Sequence, residues 1–144
     1  MTQKIQVSVA TINDASDIAR LNLLFNEEHK SVEAIMSDMS NPACVESIIL
    51  AKISAQTIGF ALIRIVPTVL YKSHHAELTE LYVMEEFRQQ GVASDLIAFA
   101  ENIAKRKGAD SILIQTGDDN IPALSLYHKH GYEDYDVVLK KSLK

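Results

Sequence analysis

The sequence predicts an α/β protein whose mixed, mostly antiparallel central sheet is flanked by helices. Three observations carry this. Segments with strand and helix periodicity follow one another in the order β-α-α-β-β-β-α-β-α-β along 144 residues. Two neighbouring β-branched runs are separated by a short polar link, the mark of a hairpin, whereas a long amphipathic segment joins two later apolar strands and reads as a crossover helix. Hydrophobic residues at 47% and charged residues at 23% are ordinary globular values. The length suits one domain spanning residues 1–144, enough to bury roughly 68% of the unfolded chain's surface.

Ile5, Val7 and Val9 alternate with polar residues, the period of a half-buried strand. Thr11 then stands where an N-cap belongs, with Asp14 three residues on and Ala15, Ile18, Leu21, Asn22 and Phe25 along one helical face that fades at Glu27-Glu28-His29. Ser31 to Met39 reads as a short second helix ended by Asn41-Pro42. Cys44 to Ile53 and Ile58 to Val66 form the hairpin, linked by Ser54-Ala55-Gln56-Thr57, and Gly59 marks a close approach or a bulge. Within the following connection, Val69, Leu70 and Tyr71 are too apolar for an idle loop and are expected to cover a substrate cleft or a dimer surface. Ala76 to Val83 is the next strand. A turn through Met84-Glu85-Glu86-Phe87 leads to a helix carrying Val92, Leu96, Phe99, Ala100 and Ile103 on one side. Lys105-Arg106-Lys107-Gly108 places cations and a C-cap at its end. Ile112 to Ile114 is a further strand, Asn120 opens a helix containing Ala123, Leu124 and Tyr127, Gly131 ends it, and Tyr132 to Leu139 is expected to close the sheet.

A net charge of −5 argues against a nucleic-acid partner. Cys44 is the only cysteine, so no internal disulfide forms and a reducing, cytoplasmic setting is expected. No apolar run has signal-peptide character or approaches the ~18 residues of a membrane span, so no membrane partner is expected. His74 and His75 would point to opposite faces of a strand, and His29, His128 and His130 are scattered, so no metal site is expected.

The stretch that organises the chain is the turn into the long helix, Arg88-Gln89-Gln90-Gly91-Val92-Ala93-Ser94. A helix start with a glycine and small residues leaves backbone N–H groups unpartnered at the positive end of the helix dipole, where phosphate binds. There is no Walker lysine with Ser/Thr, and no Gly-x-Gly-x-x-Gly, which excludes the usual nucleoside-triphosphate and dinucleotide loops.

This segment resembles the Arg/Gln-x-x-Gly-x-Gly/Ala pyrophosphate loop of the GCN5-related N-acetyltransferases (GNAT), and like that loop it follows a Glu-Leu-Tyr-Val strand. Downstream, Asn120-x-x-Ala123-x-x-Leu126-Tyr127-x-Lys129-x-Gly131-Tyr132 is similar to a second segment of the family, in the same order along the chain. Gln89-Gln90 stands where Gly-Lys or Gly-Arg is frequent, and Ala93 where many members have a second glycine.

The resemblance implies the GNAT fold and transfer of an acetyl group from acetyl-CoA directly to an amine acceptor. It places the diphosphate at Arg88, Gln89, Gln90, Gly91, Val92, Ala93 and Ser94. It places the pantetheine arm and thioester carbonyl at backbone groups of Leu81, Tyr82 and Val83 beside a bulge, with Asn120 and Ala123 alongside. Tyr127 becomes the general acid for the departing thiolate. An alkylamine of pKa ~10.4 is mostly protonated at neutral pH, so a base is needed. Glu80 is the first choice and Glu77 the reserve, since an ideal strand turns Glu77 to the other face unless a bulge intervenes. Phe25, Asn26 and Glu28 become acceptor contacts, and Glu77, Glu80, Glu85, Glu86, Asp118 and Asp119 favour a cationic acceptor. The alternative is a non-catalytic acyl-CoA-binding regulatory or interaction module.

Overall fold

A computed structural model describes residues 3–144; Met1 and Thr2, at the start of the segment searched for a leader, lie outside it. The strands are β1 (Ile5–Val9), β2 (Glu46–Ile53), β3 (Gln56–Val66), β4 (His75–Val83) and β5 (Leu113–Ile114), and the helices α1 (Ala15–Asn26), α2 (Val32–Met39), α3 (Val92–Arg106) and α4 (Ile121–Lys129). They build one mixed sheet in the order β1-β2-β3-β4-β5, antiparallel throughout except for the parallel β4–β5 pair.

The first helical segment begins where its cap chemistry predicts. The Asp14 carboxylate accepts from the Thr11 backbone N–H at 2.8 Å, and a 3-10 turn (Ile12–Asp14) leads into α1. Ser31 caps α2, its hydroxyl accepting from the Ala34 N–H at 3.1 Å. Both helices cover one face of the sheet, where Ala15, Ile18, Leu21 and Ile35 meet Leu50 and Phe60. Helix α3 covers the other, with Val92, Leu96, Ile97, Ala100 and Ile103 against Ile49, Ile63 and Leu78. Ile49 and Leu50 are adjacent yet both fully buried, on opposite faces, which is why β2 reads as a continuous apolar run rather than an alternation. Burying each such aliphatic side chain stabilises the fold by about 1.5–3 kcal/mol.

Three expectations need correction. The hairpin link between β2 and β3 is two residues, not four: Ser54 and Ala55 both have positive φ (48° and 68°), the primed-turn conformation whose twist matches the strands. The sequence hid this because neither residue is Gly or Asn. The closing strand from Tyr132 to Leu139 is not formed; residues 133–144 make no ladder among the described residues. β5, the last strand of the sheet, has only two residues, and Val137 and Leu139 are 86% and 89% exposed. Val69, Leu70 and Tyr71 cover no cleft of this chain, being 98%, 86% and 75% exposed, which leaves the dimer surface of the two expectations.

Gly59 is a close-approach position. A Cβ there would lie 2.7 Å from the Tyr82 carbonyl oxygen, so only glycine lets β3 and β4 keep their spacing.

Candidate active site

Strand β4 is the axis of the site. Its ladder with β3 pairs Ile63 with Leu78 and Leu62 with Glu80, leaving Thr79 as an extra, bulged residue whose hydroxyl donates to the Leu62 carbonyl at 3.3 Å. Because one residue is inserted, Glu77 and Glu80 come to the same face of the sheet, opposite Arg64 and Leu62, while Leu78 and Leu81 share the α3 face.

The other edge of β4 is paired with β5 only at Glu77 and Leu78. Beyond them the two strands diverge, and a cleft of about 410 Å³ opens, lined by Glu77, Leu78, Thr79, Gln115, Thr116 and Gly117. Met84 donates its N–H to the Ile58 carbonyl at 2.8 Å on β3. By the alternation of an antiparallel ladder, Tyr82 also directs its backbone groups to β3, whereas Leu81 and Val83 direct theirs to the open edge. Of the three backbone positions expected at the slot, Tyr82 is therefore turned away from the open edge, and Leu81 and Val83 lie on that edge past the residues that line the cleft. Tyr82 contributes a ring instead, 5.1 Å from Phe25 and 6.2 Å from Phe60. The bulge and the split are separate features, one on each edge of β4.

At the end of β4 the chain passes a 3-10 turn (Glu85–Phe87) and enters α3. Arg88 is extended and folds back, its Nε donating to the Val83 carbonyl at 2.9 Å with the guanidinium 5.8 Å from the Tyr82 ring centroid. Gln89 and Gly91 both have positive φ (61° and 85°), and no side chain caps α3. The first amides of α3, at Val92, Ala93 and Ser94, therefore face outward without an intrahelical acceptor. An added Cβ at Gly91 would meet nothing within 4 Å, so glycine serves the left-handed backbone angle and not the clearance. Gln90 is exposed, its amide donating to the Glu86 carbonyl at 3.4 Å.

Asn120 caps α4. Its Oδ1 accepts from the Ala123 N–H at 3.3 Å, and its Nδ2 donates to the Thr116 hydroxyl at 3.4 Å on the cleft wall. Tyr127 is half-buried against the same core cluster that Leu81 flanks, and burial raises its phenol above the ordinary range. Neighbouring Tyr132 is tied down, its hydroxyl donating to Glu101 at 2.8 Å. Burial, then that carboxylate, push its phenol strongly up. Tyr127 has no such anchor among the described residues, so of these two tyrosines it is the one whose hydroxyl is not engaged.

Glu80 lines a second cavity, of about 290 Å³, between the sheet and the α1–α2 layer. Burial raises its carboxyl above the usual range, a hydrogen bond with Asn26 opposes this, and the charge of Glu46 adds to the rise. Asn26 in turn donates to the Asn22 Oδ1 at 2.8 Å. Phe25 packs on Phe60 and Tyr82, while Glu28 is exposed and does not line this cavity.

Sequence reasoning missed His130. Its Nε2 lies 2.9 Å from the Ser94 hydroxyl, linking the end of α4 to the first turn of α3. It also missed Thr79 as the bulged residue and the acids Asp38 and Glu46 at the Glu80 cavity, whereas Asp118 and Asp119 do not line that cavity. All three involve partners distant in sequence. Among the described residues, no group of three or more His, Cys, Asp or Glu is arranged to hold a metal, and no helix is long and apolar enough to cross a membrane.

The sequence model of the family described as Acetyltransferase (GNAT) family matches residues 12–132. An uncharacterized N-acetyltransferase, YvbK of Bacillus subtilis, is 37% identical over 68 residues, 44% of each chain. An N-alpha-acetyltransferase of Saccharolobus solfataricus is 28% identical over 81 residues, 56% of this chain and 47% of that protein. The aligned stretch thus spans less than half the length of these curated relatives. Among solved structures, an aminoglycoside N-acetyltransferase, AAC(6')-Iy, in complex with CoA superposes with a TM-score of 0.84 over 100% of this chain and 98% of that one, at 20% identity. At that identity the likeness speaks for the fold alone.

Proposed function

From the premise that this chain belongs to the acetyltransferase (GNAT) family, we propose that it moves the acetyl group of acetyl-CoA directly onto the amine of a small molecule or peptide. The observation that carries the reading is the pair of openings on β4: a cleft at its β5 edge and a cavity on its α1–α2 face, lined at consecutive residues by Thr79 and Glu80 respectively. One suits a thioester arm, the other an acceptor.

The residues fit the co-substrate. The uncapped amides at Val92, Ala93 and Ser94 suit the diphosphate. The open-edge backbone groups of Leu81 and the N–H of Val83, whose carbonyl Arg88 holds, with Asn120 and Thr116 on the opposite wall, suit the pantetheine arm. An N–H aimed at the thioester oxygen stabilises the charge that develops there. Arg88 acts mainly as a brace, since its Nε is held by Val83.

In the reaction a C–N bond forms and the C–S bond breaks, while the nitrogen loses two protons, one from the ammonium before attack and one as the amide forms, the second restoring the phenol that protonates the departing sulfur. Glu80 takes one from the acceptor ammonium, and its raised pKa makes it a stronger base than an exposed carboxylate. Tyr127, still protonated at neutral pH because burial raises its phenol, gives one to the sulfur. Glu77 shares the face of Glu80 and is the reserve base.

Thiol release from acetyl-CoA across a panel of amines tests this, comparing wild type with Tyr127→Phe and Glu80→Gln. Release that depends on the amine and falls in both variants supports the reading. Coenzyme A binding with no release for any amine favours a non-catalytic acyl-CoA-binding module instead.

A further inference from the structure

The cavity beside Glu80 has a charge pattern that selects among amines. Four charged side chains line it: Lys30, Asp38, Glu46 and Glu80. Lys30 is paired with Asp38, and Glu46 with Arg64 at 3.0 Å. Among the described residues, Glu80 is the lining carboxylate with no cationic partner, and across the ladder it meets Leu62. Ile18, Ile35, Ile48, Phe60 and Leu62 give the wall its apolar part, and the neutral side chains of Asn22, Asn26 and Ser47 also line it. Ile35 and Phe60 are each only 6% exposed, so this wall belongs to the packed core rather than to a mobile rim.

Size and charge point to the same occupant. A cavity of about 290 Å³, open on one side, is of small-molecule size. One unpaired carboxylate beside an apolar wall matches one ammonium on an apolar body. A second ammonium in the same space would find no unpaired carboxylate, only apolar side chains and the neutral groups of Asn22, Asn26 and Ser47. The Lys30–Asp38 and Arg64–Glu46 pairs occupy the carboxylates that could otherwise receive it, a repulsive element of specificity.

We infer that the acceptor is a small monocationic primary amine with an apolar body, its nitrogen at Glu80 and its body against Phe60 and Ile35, and that the two ion pairs exclude polycations. This rests on the acetyltransferase reading above.

The test uses the full chain with 2-phenylethylamine and spermidine as probes, measured in two ways: kcat/KM from thiol release, and Kd by calorimetry with CoA present. 2-Phenylethylamine should be favoured over spermidine by about tenfold or more in both. In the double variant Lys30→Ala/Arg64→Ala, which frees Asp38 and Glu46 from exposed partners, the ratio should move at least ~5-fold toward spermidine. Spermidine bound or used as well as 2-phenylethylamine by wild type, a ratio unmoved in the double variant, or binding of neither amine overturns the inference. Preferential binding of 2-phenylethylamine without thiol release supports the pocket assignment and refutes catalysis; thiol release that prefers spermidine does the reverse.

Discussion

Glu77 and Glu80, three positions apart on β4, lie on the same face of the sheet because Thr79 is held outside the ladder between them. In a regular strand they would face opposite layers. The two carboxylates thus share one face of the sheet, while only Glu80 lines the cavity beneath the α1–α2 layer.

The first prediction separates them. Glu80→Gln should lower kcat/KM by about 10²–10⁴-fold, the usual worth of a positioned base, and Glu77→Gln by less than about tenfold. Since the Glu80 carboxyl is raised by burial, its ionised form is disfavoured on folding. The stability associated with its protonated form is present below the unfolded carboxyl pKa and is lost as pH rises through the folded value. Glu80→Gln removes that loss, so at neutral pH it should melt no lower than wild type. A lower Tm for Glu80→Gln at pH 7 contradicts this.

For the acid, Tyr127→Phe should reduce turnover about 100-fold with CoA affinity changed by less than about twofold. Tyr132→Phe should do the opposite: it removes the bond to Glu101, so stability falls by ~1 kcal/mol while turnover per folded molecule is kept. Equal turnover in wild type and Tyr127→Phe would remove the acid assignment.

At Gly91 the backbone angle, not clearance, is at stake. Gly91→Ala should cost ~1–2 kcal/mol of combined stability and CoA affinity, and Gly91→Asn less, since Asn tolerates left-handed φ. If Asn proved worse than Ala, bulk rather than φ would be the governing constraint.

The Asp14 carboxyl is held below its ordinary value by Lys52 at 2.8 Å and by the Thr11 N–H, with burial acting against them. The sign is the reverse of the Glu80 case. This stability is present above the unfolded carboxyl pKa and disappears as pH falls through the lower folded value. Asp14→Ala should therefore destabilise the protein by ~1 kcal/mol at pH 7. In denaturant titrations the difference should shrink toward zero in strong acid, and a difference independent of pH would contradict it.

Much of the fold was legible because local chemistry decides it. Thr11, Ser31, Gly91 and Asn120 each stand at a helix start whose first-turn residues agree with the cap, and the apolar runs of β2 and β3 are long enough to be read as strands. The failures have physical causes. Ser54-Ala55 adopts positive φ without the residues that advertise it, and Val137-Val138-Leu139 has strand composition but no ladder to join. At the candidate site, Gly91 and Tyr127 were named from motif spacing and Glu80 from its place on the strand that leads to the turn, and their roles are what the variants above test. The Ser94–His130 contact, the Asn22–Asn26 chain and the pairing that neutralises Asp38 and Glu46 depend on side chains meeting across the fold, which no periodicity reports.

The most direct measurement is calorimetric titration of coenzyme A into the wild-type protein, repeated with inorganic pyrophosphate present. Saturable heat at one site per chain that pyrophosphate suppresses is expected if the amides at the start of α3 hold the diphosphate. Absence of heat, or binding indifferent to pyrophosphate, contradicts it.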